Sequence, residues 1–250
     1  MLTFDKLLEQ FNTVENQVKI GVNDEFNLNI KDEVFLIESG TVKAYGEKNS
    51  KTGERTTKTF REHDPIGFAE AITSREKLLD FKHSSDITLI KFDGANLRKQ
   101  INDSNIFAKS IIKYSIGRIF DLKKGNNFAF EDEILYSKNK IWDRLRFAHD
   151  EVIYNAGSSS KHMYLIEKGL VQIIANNGKV LANLNRGECF GEAAIITGRE
   201  RRYTAKAKSD CSLLSIEKSM LEQQIGIESP LVQLSVMLLL KRLEFMNNFN

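Results

Sequence analysis

Two blocks of short, alternating apolar runs, each flanked by residues with helical spacing, make up most of the chain. Leu7, Leu8, Phe11 and Val14 recur at intervals of three to four, which predicts a helix over Leu2–Val18. Short strands are expected from about Glu25 to Phe92. From Leu97 the period turns helical, and Ile106, Ile111, Ile112, Ile116 and Ile119 mark one amphipathic helix over Asn105–Lys124. The cluster Lys123-Lys124-Gly125-Asn126-Asn127 is polar and contains a glycine, as a helix stop and domain joint would. Asp132–Phe147 then reads as helix, with Trp142 on its apolar side, and strands follow from Glu151 to Ile216. Lys218–Gln224 and Pro230–Asn248 close the chain as helices, Pro230 being suited to a helix start.

The two blocks are copies of one unit. Ile66–Phe92 aligns without gaps on Phe190–Ile216, and Gly67, Ala69, Ile72, Thr73, Arg75, Glu76, Lys82, Ser85, Asp86 and Leu89 fall on identical residues. Phe35-Leu36-Ile37-Glu38-Ser39-Gly40 likewise matches Tyr164–Gly169. The first copy is five residues longer between these stretches, and the surplus fits an extended hairpin around Asn49-Ser50-Lys51-Thr52-Gly53. The expected class is α+β: two tandem β-rolls, jelly-roll-like double-stranded β-helices, each with flanking helices. The expected domains are residues 1–124 and 125–250.

Composition narrows the function. A net charge of +2 offers no broad basic surface, so direct DNA binding is not expected. Cys189 and Cys211 are the only cysteines and fit neither a metal spacing nor a disulfide framework, which suits a reducing, cytoplasmic setting. The longest apolar stretch, Leu231–Leu240, is too short to span a bilayer, and Met1–Lys6 lacks the apolar run of a signal peptide. His63, His83, His149 and His162 are scattered, and no phosphate-loop lysine or nucleophile elbow occurs, so neither a metal site nor an enzyme is expected.

The strongest chemical signal is Arg186-Gly187-Glu188-Cys189-Phe190-Gly191-Glu192-Ala193-Ala194-Ile195-Ile196, followed by Arg201-Arg202-Tyr203-Thr204. A Gly turn, a lone Glu, a short helix-prone piece and an Arg nine residues after the Glu make a compact anion cradle. The stretch resembles the phosphate-binding cassette of cyclic nucleotide-binding domains, and Met163–Gly169 resembles that family's second signature, a strand running into a Gly turn. The resemblance covers about residues 130 to 250 and implies cAMP or cGMP as ligand. It assigns Arg201 to the phosphate as a bidentate fork, and Glu192 to the ribose 2′-hydroxyl as acceptor. Gly191 would let the backbone approach, and the N–H groups of Ala193 and Ala194 would point at the anion.

Two positions depart from the family. Arg202 stands where a small or hydroxyl residue is usual and Tyr203 where Ala is usual, while Thr204 matches. Arg202 either adds a second cation to the phosphate or lies on the surface, and the favoured purine stays open. The first copy departs further. Phe68 replaces Glu192, Lys77 replaces Arg201, Leu78 and Leu79 replace Arg202 and Tyr203, and Asp80 replaces Thr204, so that copy is not expected to bind a cyclic nucleotide in the usual manner.

The terminal helix carries two apolar stripes. Leu231, Leu234, Leu238 and Phe245 form one, and Val232, Val236, Leu239 and Leu243 the other. The resemblance implies a lid over the base and a dimer contact, while Lys241 and Arg242 either reach the ligand or end the helix in solvent. The leading expectation is a non-catalytic sensor that signals through an effector protein or a homodimer. The tandem arrangement is similar to that of the regulatory subunit of cyclic-AMP-dependent kinase. The other reading is an interaction scaffold that keeps the roll and binds no nucleotide.

Overall fold

The computed structural model describes residues 3–48, 55–76, 79–120 and 143–247. They divide into two compact units, residues 2–104 with 229–242, and residues 105–228 with the chain end from 243. The expected joint at 124/125 lies outside the described residues, and the units part instead at 104/105.

The first unit opens with α1 (Phe4–Phe11) and strand β1 (Gln17–Ile20). The helix expected to Val18 therefore stops early, because Asn12 leaves the helical region and Gln17–Ile20 pairs along Ile87–Ile90. Strands β2 (Glu33–Ser39), β3 (Val42–Lys48), β4 (Arg55–Phe60), β5 (Pro65–Ile66), β6 (Asp80–His83) and β7 (Ile87–Asp93) follow, with α2 (Phe68–Ile72) between β5 and β6, and α3 (Gly94–Asp103) after β7. Two antiparallel sheets result, of order β1-β7-β2-β5 and β4-β3-β6. Strands β3 and β4 flank the expected hairpin, whose tip, residues 49–53, lies outside the described residues. Alternation turns Phe35, Ile37, Val42, Ala44, Phe60, Ile66, Ile87 and Leu89 into one core. Asp93 caps α3, accepting from the Asn96 N–H at 2.7 Å, and Arg98 on α3 reaches back to Asp32 at 2.6 Å and to the Ala71 carbonyl at 2.8 Å.

The second unit opens with α4 (Ile106–Ile119). The sequence reading placed this helix in the first domain. Asn105 explains the difference: its Oδ1 accepts from the N–H groups of Phe107 and Ala108 at 3.0 and 3.1 Å, its Nδ2 donates to Gln224 O at 2.6 Å, and its N–H donates to Glu228 at 2.8 Å. One residue thus caps α4 and ties it to the end of α6 (Lys218–Gly226). Strands β8 (Asp143–Phe147), β9 (Val152–Tyr154), β10 (His162–Lys168), β11 (Val171–Ile174), β12 (Val180–Leu184), β13 (Cys189–Phe190), β14 (Thr204–Ala207) and β15 (Cys211–Glu217) build the roll, with α5 (Glu192–Thr197) after β13. The helix expected over Asp132–Phe147 is corrected at its end. Asp143–Phe147 is a strand, because β15 offers it a ladder from Cys211 to Ser215; Trp142 and the residues before it lie outside the described residues.

The repeat is exact in topology. The order β13-β10-β15-β8 reproduces β5-β2-β7-β1, and β12-β11-β14 reproduces β4-β3-β6, with β9 added at the edge. Even the irregularity repeats: the register slips between Ile37 and Ser39 in one copy and between Ile166 and Lys168 in the other. The glycine after each slip is obligatory. Gly40 and Gly169 have φ of 90° and 97°, and a Cβ at Gly40 would lie 2.7 Å from the Asp86 carbonyl, with Asp210 the matching neighbour of Gly169.

The last helix, α7 (Pro230–Asn247), corrects a further expectation. Residues 229–242 group with the first roll, and the polar contacts of Ser229, Lys241 and Arg242 go to Gln100, His63 and Glu70. Both stripes between Leu231 and Leu240 are buried; the side chains of Leu243 and Phe245 lie outside the described residues.

Arg242 also perturbs Lys58, on β4. Burial first, and the Arg242 charge second, lower the Lys58 ammonium from 10.5 to about 8, against the pull of Glu70 and Asp64. A lysine whose folded value lies below its unfolded one binds its proton more weakly when folded. It therefore costs stability while protonated, and the cost is relieved between pH 8 and 10.5. We expect Lys58→Met to be more stable than the parent at pH 7 in urea unfolding, with the gap closing toward pH 10.5. A gap that does not vary with pH would show that Lys58 is solvated.

Candidate ligand-binding site

The cassette is built where β13 ends. Gly191 follows Phe190 with φ 86° and ψ −2°, a left-handed turn that starts α5, and Gly198 ends it with φ 68°. The same turn recurs in the first roll at Gly67, with φ 85° and ψ 0° at the start of α2. At Gly191 a side chain is excluded twice, by the positive φ and because a Cβ would lie 2.6 Å from Arg201 Nη1.

Arg201 is the centre of the site. It is only 4% exposed, and its guanidinium is held by backbone: Nη1 donates to the Gly191 carbonyl at 2.6 Å and Nη2 donates to the His162 carbonyl at the start of β10. Its Cζ lies 4.2 Å over the ring of Tyr154. Of the guanidinium's five N–H donors, Nε–H has no hydrogen-bond partner among the described residues. The Arg201 backbone is fixed as well. Its N–H donates to Ser158 O at 2.9 Å, and its carbonyl accepts from the Gly157 N–H at 2.7 Å. Thr204 secures the same turn through Oγ1, which accepts from the Ala156 N–H at 3.1 Å.

Glu192, at the first turn of α5, is 4% exposed. The backbone of Ala193 and Ala194 forms the rest of that first turn, where helix N–H groups lack intrahelical acceptors. Arg202 is exposed, with its guanidinium 5.5 Å from the Tyr203 ring centre, and Tyr203 packs against the core of the second roll. The structure thus joins Gly191, Arg201 and the Thr204 turn directly, and turns Arg202 outward.

Sequence reasoning missed the aromatic support of this site. Tyr154 stands opposite Ala205 in the β9–β14 register, and its ring stacks 6.1 Å from Tyr164, which stacks 5.1 Å from Phe190. Burial pushes the Tyr164 phenol up, against a smaller opposing pull from Arg201. His162 serves through its carbonyl, which no residue-type signal could announce. The one available hint was the period of β10, which fixes where that carbonyl falls.

The first roll has the same frame and different contents. Phe68, where Glu192 stands, is 1% exposed and packs edge-on to Phe92 at 5.4 Å. Asp80, where Thr204 stands, pairs with Arg55 at 2.6 Å. Lys77 and Leu78 lie outside the described residues. A cavity of about 660 Å³ opens in this roll, with Asn29, Lys31, Tyr45, Arg55 and Asp80 in its wall.

The family model described as cyclic nucleotide-binding domain matches residues 144–227. The cAMP-dependent protein kinase regulatory subunit of Schizosaccharomyces pombe is 29% identical over 94 residues, covering 36% of this chain and 23% of the relative. That of Candida albicans is 32% identical over 96 residues, covering 37% and 21%. The chain therefore spans under a quarter of the length of these relatives. Among solved structures, a regulatory subunit of a cAMP-independent protein kinase A from Trypanosoma brucei aligns over 94% of this chain and 80% of its own, at 16% identity and a TM-score of 0.38. Among the described residues no helix is long and apolar enough to cross a membrane. The match to the cyclic nucleotide-binding domain model covers about a third of the chain and includes the cassette frame at Gly191–Thr204, so residues 144–227 are similar to that family in sequence and carry its cassette at the corresponding turn.

Proposed function

We propose that the second roll binds a cyclic mononucleotide, cAMP or cGMP, in the cassette Gly191–Thr204, and that the chain is a non-catalytic sensor. The observation that carries this reading is the buried guanidinium of Arg201, seated at the left-handed turn of Gly191 with Nε–H left over. A cyclic phosphate carries one negative charge and needs a cation, backbone donors and an acceptor for its ribose. Arg201 supplies the cation, and Gly191, Ala193 and Ala194 supply the backbone approach. Glu192, buried one residue away from the turn, is the acceptor for the 2′-hydroxyl. Tyr203 and Thr204 shape the wall beyond the phosphate, and Arg202, exposed, is available to a ligand carrying more charge than a cyclic phosphate. The fungal relatives are cAMP-dependent protein kinase regulatory subunits, which supports cAMP as the first ligand to test and a protein effector, a kinase or a second copy of this chain, as the output.

One observation favours the second reading, an interaction scaffold. Two of Arg201's donors already serve backbone carbonyls, as they would in a purely structural brace. Titration calorimetry with cAMP and cGMP separates the two. Binding heat with either is expected, together with a gain of about 2.7 kcal/mol in stability at a hundredfold excess over Kd. Arg201→Ala should weaken binding by roughly 2–5 kcal/mol, because it leaves a buried phosphate unpaired. Arg201→Lys, which keeps the charge, checks that the loss is not one of folding. No heat and no thermal shift with either nucleotide would leave the scaffold as the reading.

Glu192→Gln isolates the ribose contact. It should cost about 1.5–3 kcal/mol with cAMP and little with 2′-deoxy-cAMP, since the deoxy ligand has no hydroxyl to donate. Equal losses with both ligands would remove Glu192 from the ribose.

A further inference from the structure

The first roll keeps the cassette frame but places a carboxylate in it. Glu70, on α2, occupies the position that Ala194 holds in the second roll. An anion would meet a negative charge there; a cation would be held. The structure supplies that cation from the chain itself. Arg242 Nη2 lies 3.5 Å from Glu70 Oε1, with the two side chains 16% and 15% exposed. One residue earlier on α7, Lys241 Nζ donates to the His63 carbonyl at 3.3 Å and lies 5.8 Å over the Phe4 ring. At the other end of this stretch, Ser229 Oγ donates to Gln100 Oε1 on α3 at 2.6 Å. The helix is thus fastened at two points about 20 Å apart along its axis, one on α3 and one on the cassette helix of the same roll. Residues 229–242 share a compact unit with this roll.

We propose that the degenerate cassette of the first roll is a receptor for the chain's own terminal helix, with Glu70 gripping Arg242 in the place where the second roll keeps a seat for an anion. Glu70 Oε2 and Arg242 Nε are buried without a hydrogen-bond partner among the described residues, so the pair is a single-contact grip and not a saturated one. Burial of two charges with part of their hydrogen bonding unmet recovers little of the desolvation cost. Such a contact specifies where the helix sits more than it adds to stability, which suits a latch that can open. The charged groups around it are Lys58 on β4, Asp64 in the turn before β5, and Lys241 on the helix. The helix follows α6 after Ile227, Glu228 and Ser229, so an opened latch frees a segment continuous in sequence with the second roll.

Hydrogen exchange of the full chain tests the latch without any ligand. Glu70→Gln and Arg242→Ala should each speed exchange over residues 230–242 by about tenfold or more, the effect of losing one charge-assisted contact. Strands β2 and β7 should keep their protection in both variants. The exchanged pair Glu70→Arg with Arg242→Glu should return the helix to parent rates. Unchanged exchange over 230–242 in Arg242→Ala, which alters no residue of the sheets, would overturn the proposal. So would failure of the exchanged pair to restore protection in a roll whose strands remain protected.

Discussion

A guanidinium buried inside a β-roll organises the second half of this molecule. Arg201 cannot be taken out of water without acceptors for its donors, and the fold provides two carbonyls, one at Gly191 and one at His162. Each acceptor carries a further demand. Gly191 must turn left-handed, and no side chain fits there beside the guanidinium. His162 must sit at the start of β10, which sets the phase of the strand and so turns Tyr164 and Ile166 into the core of the roll. The loop from β9 must come close enough to trade backbone hydrogen bonds with Arg201, which brings Tyr154 under the guanidinium plane. What reads in sequence as a ligand motif is therefore also the brace that ties three elements of the roll together.

The first roll shows what becomes of the same frame when that arginine is absent. The backbone devices survive: the left-handed glycine at 67, the slip in β2 and the glycine after it all recur. These are requirements of chain path and have no cheap substitute. The side chains that would meet a ligand do not survive. Phe68 extends the core toward Phe92, and Asp80 and Arg55 satisfy each other. A duplicated unit has kept its architecture and exchanged its chemistry, and the two charges that α2 and α7 bring together belong to the exchanged part.

The repeat, the class of fold and the cassette were legible because each rests on local requirements: turn glycines, alternation, and a fixed spacing from Gly191 to Arg201. Other features depend on partners far away in the chain. The strand Asp143–Phe147 is written in residues that suit a helix as well, and only the open edge of β15 decides it. The two stripes of α7 announce burial on both sides but carry no address, and the contact that supplies it joins residues 172 apart. Asn105 looked like the first residue of a first-domain helix, while its cap and its bonds to Gln224 and Glu228 assign that helix to the second unit. Tyr154 gave no signal at all, since its role follows from the β9–β14 register.

The central claim is that two rolls of one architecture have divided their roles, one facing a nucleotide and the other a helix of its own chain. The number of cyclic nucleotides bound per chain tests it most directly, by equilibrium dialysis at saturating cAMP and cGMP with parent protein and Arg201→Ala. One nucleotide per parent chain and none on the variant is the predicted result. Two per parent chain, with one surviving in Arg201→Ala, would contradict it.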